Sequence, residues 1–433
     1  MNILDLIEKK KKNKKITEAE FNYFIDALIN QEIKDYQTTA FMMAIYFNKL
    51  DFNETYYLTK AIINSGKTFE WPSNIKNLID KHSTGGVGDK VSLILLPLLS
   101  SLNVNIAKIS GRGLGYTGGT IDKLDSINMN TDLSEQEVFQ ILKENHFFVL
   151  QQTNEIVPAD KILYALRDTS GTVDNLSLIA SSIMSKKLAL NTENIYLDVK
   201  VGDGAFFANL KDAKEFGALC IKLGKKFKKN VVVHYTDMNK PLGRCLGNLI
   251  EVKEAVNFLN GIYECEYLKE LIFEFAKDVL VDLKIAKNSK EAISMIEDAI
   301  NSKKAIDSFI RWNKFQKGEL DSIDKLTDFY NPLHKKEIYA ESNGYLEFKS
   351  NKELGLILVD LKAGRKAKTD TLDFEAGLYL NKYTGEQVKK GDVIVTIYSS
   401  SPIEDNVVQK LTNNIKINKE KMKLNKTILG VSR

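Results

Sequence analysis

Cysteine is scarce in this chain: three in 433 residues, at Cys220, Cys245 and Cys265, none in C-x-x-C spacing. An odd, unpatterned set excludes a disulfide framework and a cysteine-built zinc site, and it fits a reducing compartment. Long apolar runs are missing too. The most apolar stretch, Val91 to Leu99, falls far short of the ~20 residues that a membrane helix needs. The N-terminus has no apolar segment of the signal-peptide kind. Nor is there an excess of charge of one sign. The 61 Lys and Arg stand against 57 Asp and Glu, a net charge of +4 that is too even to imply a nucleic-acid partner. The one basic run, Lys9 to Lys15 interrupted by Asn13, reads as solvent-facing. A soluble, cytoplasmic protein with no nucleic-acid or membrane partner is expected.

What is present is ordinary globular composition, 43% apolar and 27% charged, over a length that calls for two or three domains. Residues 1–66 read as helices. Ile3, Leu6 and Ile7 share a face, Phe21, Phe24, Ile25 and Leu28 recur at helical spacing, and Thr17 with Glu20 spells a capping box. After the break at Trp71-Pro72-Ser73, short apolar runs (Val104–Ile109, Phe147–Leu150, Ile195–Val201) alternate with helical patterns, as in α/β construction. Asp174 to Leu190 is a helical stretch that the N-terminal helices are expected to recruit. The expected architecture is α/β and multidomain. It comprises a discontinuous all-helical domain (1–66 with 160–192), a larger α/β domain with a central mixed sheet (76–158 with 194–332) and a small β-rich C-terminal domain (335–433).

Chemistry concentrates in three places. Asp80-Lys81-His82-Ser83-Thr84-Gly85-Gly86-Val87-Gly88-Asp89-Lys90-Val91-Ser92 follows the strand-like Leu78–Ile79, and three of its glycines fall within four positions. Such a loop can turn backbone N–H groups onto an anion, with Lys81, Ser83 and Ser92 as added donors. A Gly-rich turn alone is as often a plain strand-to-helix connection; Lys, His and Ser beside it favour a site. It is not a Walker A loop. A second loop, residues 108–120, holds five glycines in nine positions together with the anion-competent Lys108, Ser110 and Thr120. Two such loops at successive strand ends point to one phosphate held between them. The third place is Arg167-Asp168 with Ser181 to Lys187, where Ser182 and Lys186 share a helix face. Taken alone, it reads as a surface helix.

Together, Asp80–Gly88, Ser110–Leu124, Arg167 and the Ser182/Lys186 pair make the chain resemble the thymidine and pyrimidine-nucleoside phosphorylase family over essentially its whole length. The resemblance implies an enzyme that uses phosphate to split a pyrimidine nucleoside into free base and α-pentose-1-phosphate. It would be a homodimer paired through its helical domains, close between domains during turnover, and need no organic cofactor. Carried over, Lys81, Ser83, Ser92, Ser110 and Thr120 hold phosphate, with Lys108 beside them. His82, Arg167, Ser182 and Lys186 hold the base and carry the catalysis. A potassium site at Gly88, Lys90, Leu242, Cys245 and Glu254 is also implied, although Lys90 departs from the family pattern and brings an ammonium able to displace the ion. Tyr116 stands where the family usually has His, a change expected to alter loop packing. His146, His234 and His334 match no functional position. Lys108 is the residue type of the broad-specificity members, so uridine, deoxyuridine and thymidine are the expected substrates. The alternative is a thymidine phosphorylase restricted to deoxyribosides. Anthranilate phosphoribosyltransferases share the general architecture but use magnesium and a pyrophosphorylated ribose. The His82 segment and the Arg167/Ser182/Lys186 set argue against them.

Overall fold

Four helices open the chain: α1 (Ile3–Lys11), α2 (Glu18–Ile29), α3 (Asp35–Asn48) and α4 (Phe52–Asn64). The computed structural model describes every residue except Leu114, Thr117, Ile323, Thr327, Asp328 and Lys368. At the start of α2, Thr17 accepts from the Glu20 N–H while Glu20 accepts from the Thr17 N–H, the reciprocal capping that the spacing predicts. Its Phe24 meets Phe41 of α3 edge-on, ring centres 4.8 Å apart. The basic run is not wholly solvent-facing. Lys10 follows Ile3 and Leu6 around the inner face of α1 and is buried, its Nζ 2.8 Å from Glu54. The buried carboxylate offsets the cost of enclosing the ammonium.

The chain then builds a sheet: β1 (Leu78–Ser83), α5 (Val91–Ser100), β2 (Asn105–Ser110), α6 (Thr120–Asp125), α7 (Glu135–Asn145) and β3 (Phe147–Gln151). Next it leaves the sheet for α8 (Pro158–Ser170) and α9 (Leu176–Ala189), and returns through β4 (Asn194–Val201), α10 (Leu210–Lys226) and β5 (Asn230–Asp237). The α9 helix joins the N-terminal helices: Thr59 donates to Ser181 at 3.1 Å and Ser177 to the Leu50 carbonyl at 3.3 Å. β1 to β5 pair in parallel in the order β5-β4-β1-β2-β3. Successive side chains alternate between faces. Ile106, Phe147 and Val149 enter the core beneath α5, while Ala107, Ile109, Phe148 and Leu150 pack toward the N-terminal helices. The strand order reverses between β1 and β4, and ligands gather at the carboxyl ends of such switch points.

Beyond the sheet lie β6 (Cys245–Gly247) and α11 (Leu249–Leu259), α12 (Glu266–Asp282), α13 (Ser289–Asn301) and α14 (Lys304–Phe315). The β-rich C-terminal part follows: β7 (His334–Tyr339), β8 (Gly344–Phe348), α15 (Asn351–Asp360), β9 (Gly377–Leu380), β10 (Gln387–Val388), β11 (Val393–Ser399), α16 (Asp405–Asn414), β12 (Ile415–Asn418) and β13 (Ile428–Ser432). This part is interlaced with the α/β part in both directions. β6 pairs with β9, and β13 runs back to pair antiparallel with β5, which makes the central sheet six-stranded and mixed. β13 thereby covers an edge that would otherwise present unpaired backbone groups.

Candidate active site

A cavity of about 540 Å³ opens where the carboxyl ends of β1 and β2 face α8 and α9. One wall is the pair of Gly-rich loops. The first is fixed from below: the Thr84 N–H donates to the Asp198 carbonyl at 3.0 Å, and the Lys200 N–H donates to Thr84 Oγ1 at 2.9 Å. Gly85 and Gly88 have φ of +87° and +77°, which side chains disfavour. A Cβ at Gly88 would also come within 2.7 Å of the Leu242 carbonyl oxygen. In the second loop, Asp122 accepts from the Gly113 N–H at 2.6 Å and pairs with Arg365, the cavity's contribution from the C-terminal part. Ser83, Ser92, Lys108, Ser110 and Thr120 all line this wall.

The opposite wall carries the polar groups of the helical layer. Arg167 is buried in the last turn of α8, where it donates to the carbonyls of Thr172 (3.2 Å), Val173 (2.7 Å) and Leu178 (3.2 Å). These bonds lock the fork in place and leave other N–H groups of the guanidinium for a ligand. Lys186 donates to Ser182 Oγ at 3.0 Å and to the Asp160 carboxylate, which ties α9 to α8. Tyr164, Ile179, Ile183 and Phe207 supply apolar surface. His82 reaches the cavity from the end of β1, between the two walls.

Charge in the cavity is heavily conditioned. Burial and then the nearby Lys187, Lys108 and Lys186 push the His82 imidazole well below its usual value, so it is neutral at pH 7 and serves as a donor or acceptor, not a cation. Lys108, which donates to the Lys81 carbonyl at 2.8 Å, is brought down to about 7 by burial, then by Lys187 and Lys81. Asp89 accepts from the Ser83 hydroxyl. Burial opposes its charge, but Lys200 and Lys81 hold it far below the ordinary carboxylate range.

Two sets of expected site residues are placed differently. Lys81 does not line the cavity. Its register neighbour strand carries Asp198, and Lys81 Nζ lies buried 3.4 Å from that carboxylate, which Lys200 shares at 2.8 Å. The electrostatic pull of a fully enclosed carboxylate keeps Lys81 beneath the phosphate wall. Gly88, Lys90, Leu242, Cys245 and Glu254 do converge, and they do so around the ammonium of Lys90. Its Nζ lies 2.5 Å from the Leu242 oxygen and 2.9 Å from Glu254.

Other participants were not singled out by sequence. Lys187 lines the cavity, with Nζ 3.1 Å from Asp80 and donating to the Ile109 carbonyl at 3.1 Å. Asp89, Asp160 and Arg365 also belong to the site. For Lys187 and Asp160 a signal was available, since Lys187 adjoins Lys186 on α9 and Asp160 lies in the first turn of the helix that carries Arg167 in its last. Tyr116 packs in the loop, its hydroxyl donating to the Ala205 carbonyl at 3.2 Å. His146 and His234 lie elsewhere, bonded to Asn105 and Asp278.

Family models match along the chain: a glycosyl transferase family helical bundle domain over 4–66, its a/b domain over 75–306, and a pyrimidine nucleoside phosphorylase C-terminal domain over 345–418. A thymidine phosphorylase of Mycoplasmoides pirum is 47% identical over 96% of this chain and 100% of its own length. The chain belongs to the thymidine and pyrimidine-nucleoside phosphorylase family. A pyrimidine-nucleoside phosphorylase of Staphylococcus aureus (strain N315) is 40% identical, covering 96% of each chain. The anthranilate phosphoribosyltransferase of Thermus thermophilus superposes with a TM-score of 0.57 at 15% identity, over 72% of this chain and 100% of that one. That likeness extends the phosphorylase family's fold to a second reaction class and says nothing of the reaction here.

Proposed function

We propose that this chain catalyses phosphorolysis of pyrimidine nucleosides, with phosphate held at the β1 and β2 loops and the base held by α8 and α9. One observation carries the reading: a single cavity has an anion-binding wall of two Gly-rich loops and, across from it, an Arg–Ser–Lys set suited to a pyrimidine's amide edge. Hydrogen phosphate attacks C1′ from the face opposite the base, and the C1′–N1 bond breaks. Its electron pair passes to the pyrimidine, where it spreads over N1, O2 and O4, and the proton that phosphate carried ends on the base. Arg167 and Lys186 lie where that charge develops, and prepositioned donors of this kind are worth most in a water-poor site. His82, neutral, hydrogen-bonds the ring without adding charge. Ser83 has one proton. It uses that proton to donate a hydrogen bond to Asp89 in the free protein and to phosphate when the site fills.

The same reading takes uridine as well as thymidine and deoxyuridine. An ammonium at Lys108 can meet a ribose 2′-hydroxyl that an apolar residue would leave unpaired, a difference of ~1–3 kcal/mol. The protein acts as a homodimer, and the exposed Tyr36 and Phe47 on α3 offer apolar surface for the pairing. Among the described residues no helix is long and apolar enough to cross a membrane. Three buried free cysteines suit a cytoplasmic setting. The test is base release from thymidine, deoxyuridine, uridine and cytidine, with phosphate and a magnesium chelator. The first three are expected to react and cytidine poorly. Thymidine cleaved with uridine untouched would restrict the enzyme to deoxyribosides, and a strict magnesium requirement would remove the reading.

A further inference from the structure

Lys90 lies outside the cavity and is wholly enclosed at the N-terminal end of α5. Its Nζ has oxygen neighbours of the kind a monovalent cation takes, the Leu242 carbonyl at 2.5 Å and Glu254 Oε2 at 2.9 Å. Glu254 is itself anchored, accepting from the N–H groups of Arg244 (2.8 Å) and Cys245 (3.0 Å). The surroundings are closed: a Cβ at Gly243 would lie 2.5 Å from Glu254 and 2.6 Å from Lys90 Nζ. One turn earlier on α11, Glu251 faces Lys123 of α6 at 3.4 Å and accepts from the Gly247 N–H. Two carboxylates on one face of α11 thus hold the helices that follow both Gly-rich loops.

We propose that Lys90 is a covalently tethered replacement for an exchangeable monovalent cation, a positioning residue that pins the 84–90 loop to segment 242–245 and makes the protein indifferent to potassium. The Glu254 carboxylate and the Leu242 carbonyl offset the cost of enclosing the ammonium. A fixed charge needs no binding equilibrium, so loop geometry does not vary with ion concentration. An ion bound only by the folded state would instead stabilise it in proportion to its concentration.

The test uses the full chain and its Lys90→Thr variant, melted in matched potassium, sodium and lithium chloride, with phosphate KM measured in the same salts. Wild type should melt within about 1 °C in all three and keep its phosphate KM within about 2-fold. Lys90→Thr opens the enclosed space, so potassium over lithium should raise its Tm by at least ~3 °C and lower its phosphate KM at least ~5-fold. A saturable, potassium-specific rise in wild-type Tm would overturn the proposal. So would a folded Lys90→Thr that ignores the salt and keeps the wild-type phosphate KM. If Lys90→Thr folds in no salt, the wild-type melts decide alone. The melting arm does not depend on turnover, so absent phosphorolysis with the expected melts would count against the proposed function and not against this one.

Discussion

At the scale of single residues, the site separates charge that is always present from charge that depends on pH. Arg167 belongs to the first kind, and Lys186 stands beside it on the base wall. Arg167→Ala or Lys186→Ala should each lose at least ~10²-fold in kcat/KM, the scale for removing a donor to a transition-state charge. Near-wild-type turnover in both would remove the assignment of the base wall. Lys108 belongs to the second kind, since it loses its proton as pH rises through about 7 in the free protein. Its ammonium is therefore present below that pH and lost above it. The uridine-to-thymidine ratio of kcat/KM should fall between about pH 6 and about pH 9, and in Lys108→Met it should be low at every pH. A flat, high ratio in the wild type would show that another group serves the 2′-hydroxyl. His82 titrates well below this range and contributes no step to that profile.

At the scale of elements, the residues that line the cavity sit on strand ends and helix turns that hold one another. Ser83 ends β1 and Ser110 ends β2, so Ser83→Ala with Ser110→Ala should raise the phosphate KM at least ~10-fold while leaving the nucleoside KM nearly unchanged. Phosphate saturation curves check this, and an unchanged curve would count against a two-loop site. Much of this level was legible in the sequence. The glycine clusters marked both loops because only such residues permit the close backbone passage seen at Gly88 and Gly119. The Thr17/Glu20 box marked the start of α2 because capping is local. What was not legible depends on partners far along the chain. Nothing near Lys81 announces Asp198, and nothing near Lys90 announces Glu254, so neither side chain's destination could be read. β6 is three residues long, too short for a period, and its pairing with β9 is set by tertiary packing.

At the scale of the molecule, the two walls of the cavity belong to different layers, the sheet and the recruited helices, and in the proposed reaction the reactants meet where those layers face each other. Positioning of this kind can supply a large part of a rate enhancement, and three chain crossings join the two layers. The C-terminal part takes part through Arg365, which reaches Asp122 under the second loop, and through the β6–β9 and β5–β13 pairings that bind it to the sheet. The sheet, the recruited helices and the C-terminal part thus all contribute residues to the cavity. The most direct measurement is phosphorus NMR of the protein with thymidine and inorganic phosphate in a metal chelator. One α-deoxyribose-1-phosphate should appear for each thymine released, with an equal loss of free phosphate. Thymine release without phosphate consumption, or no reaction under these conditions, would contradict the account.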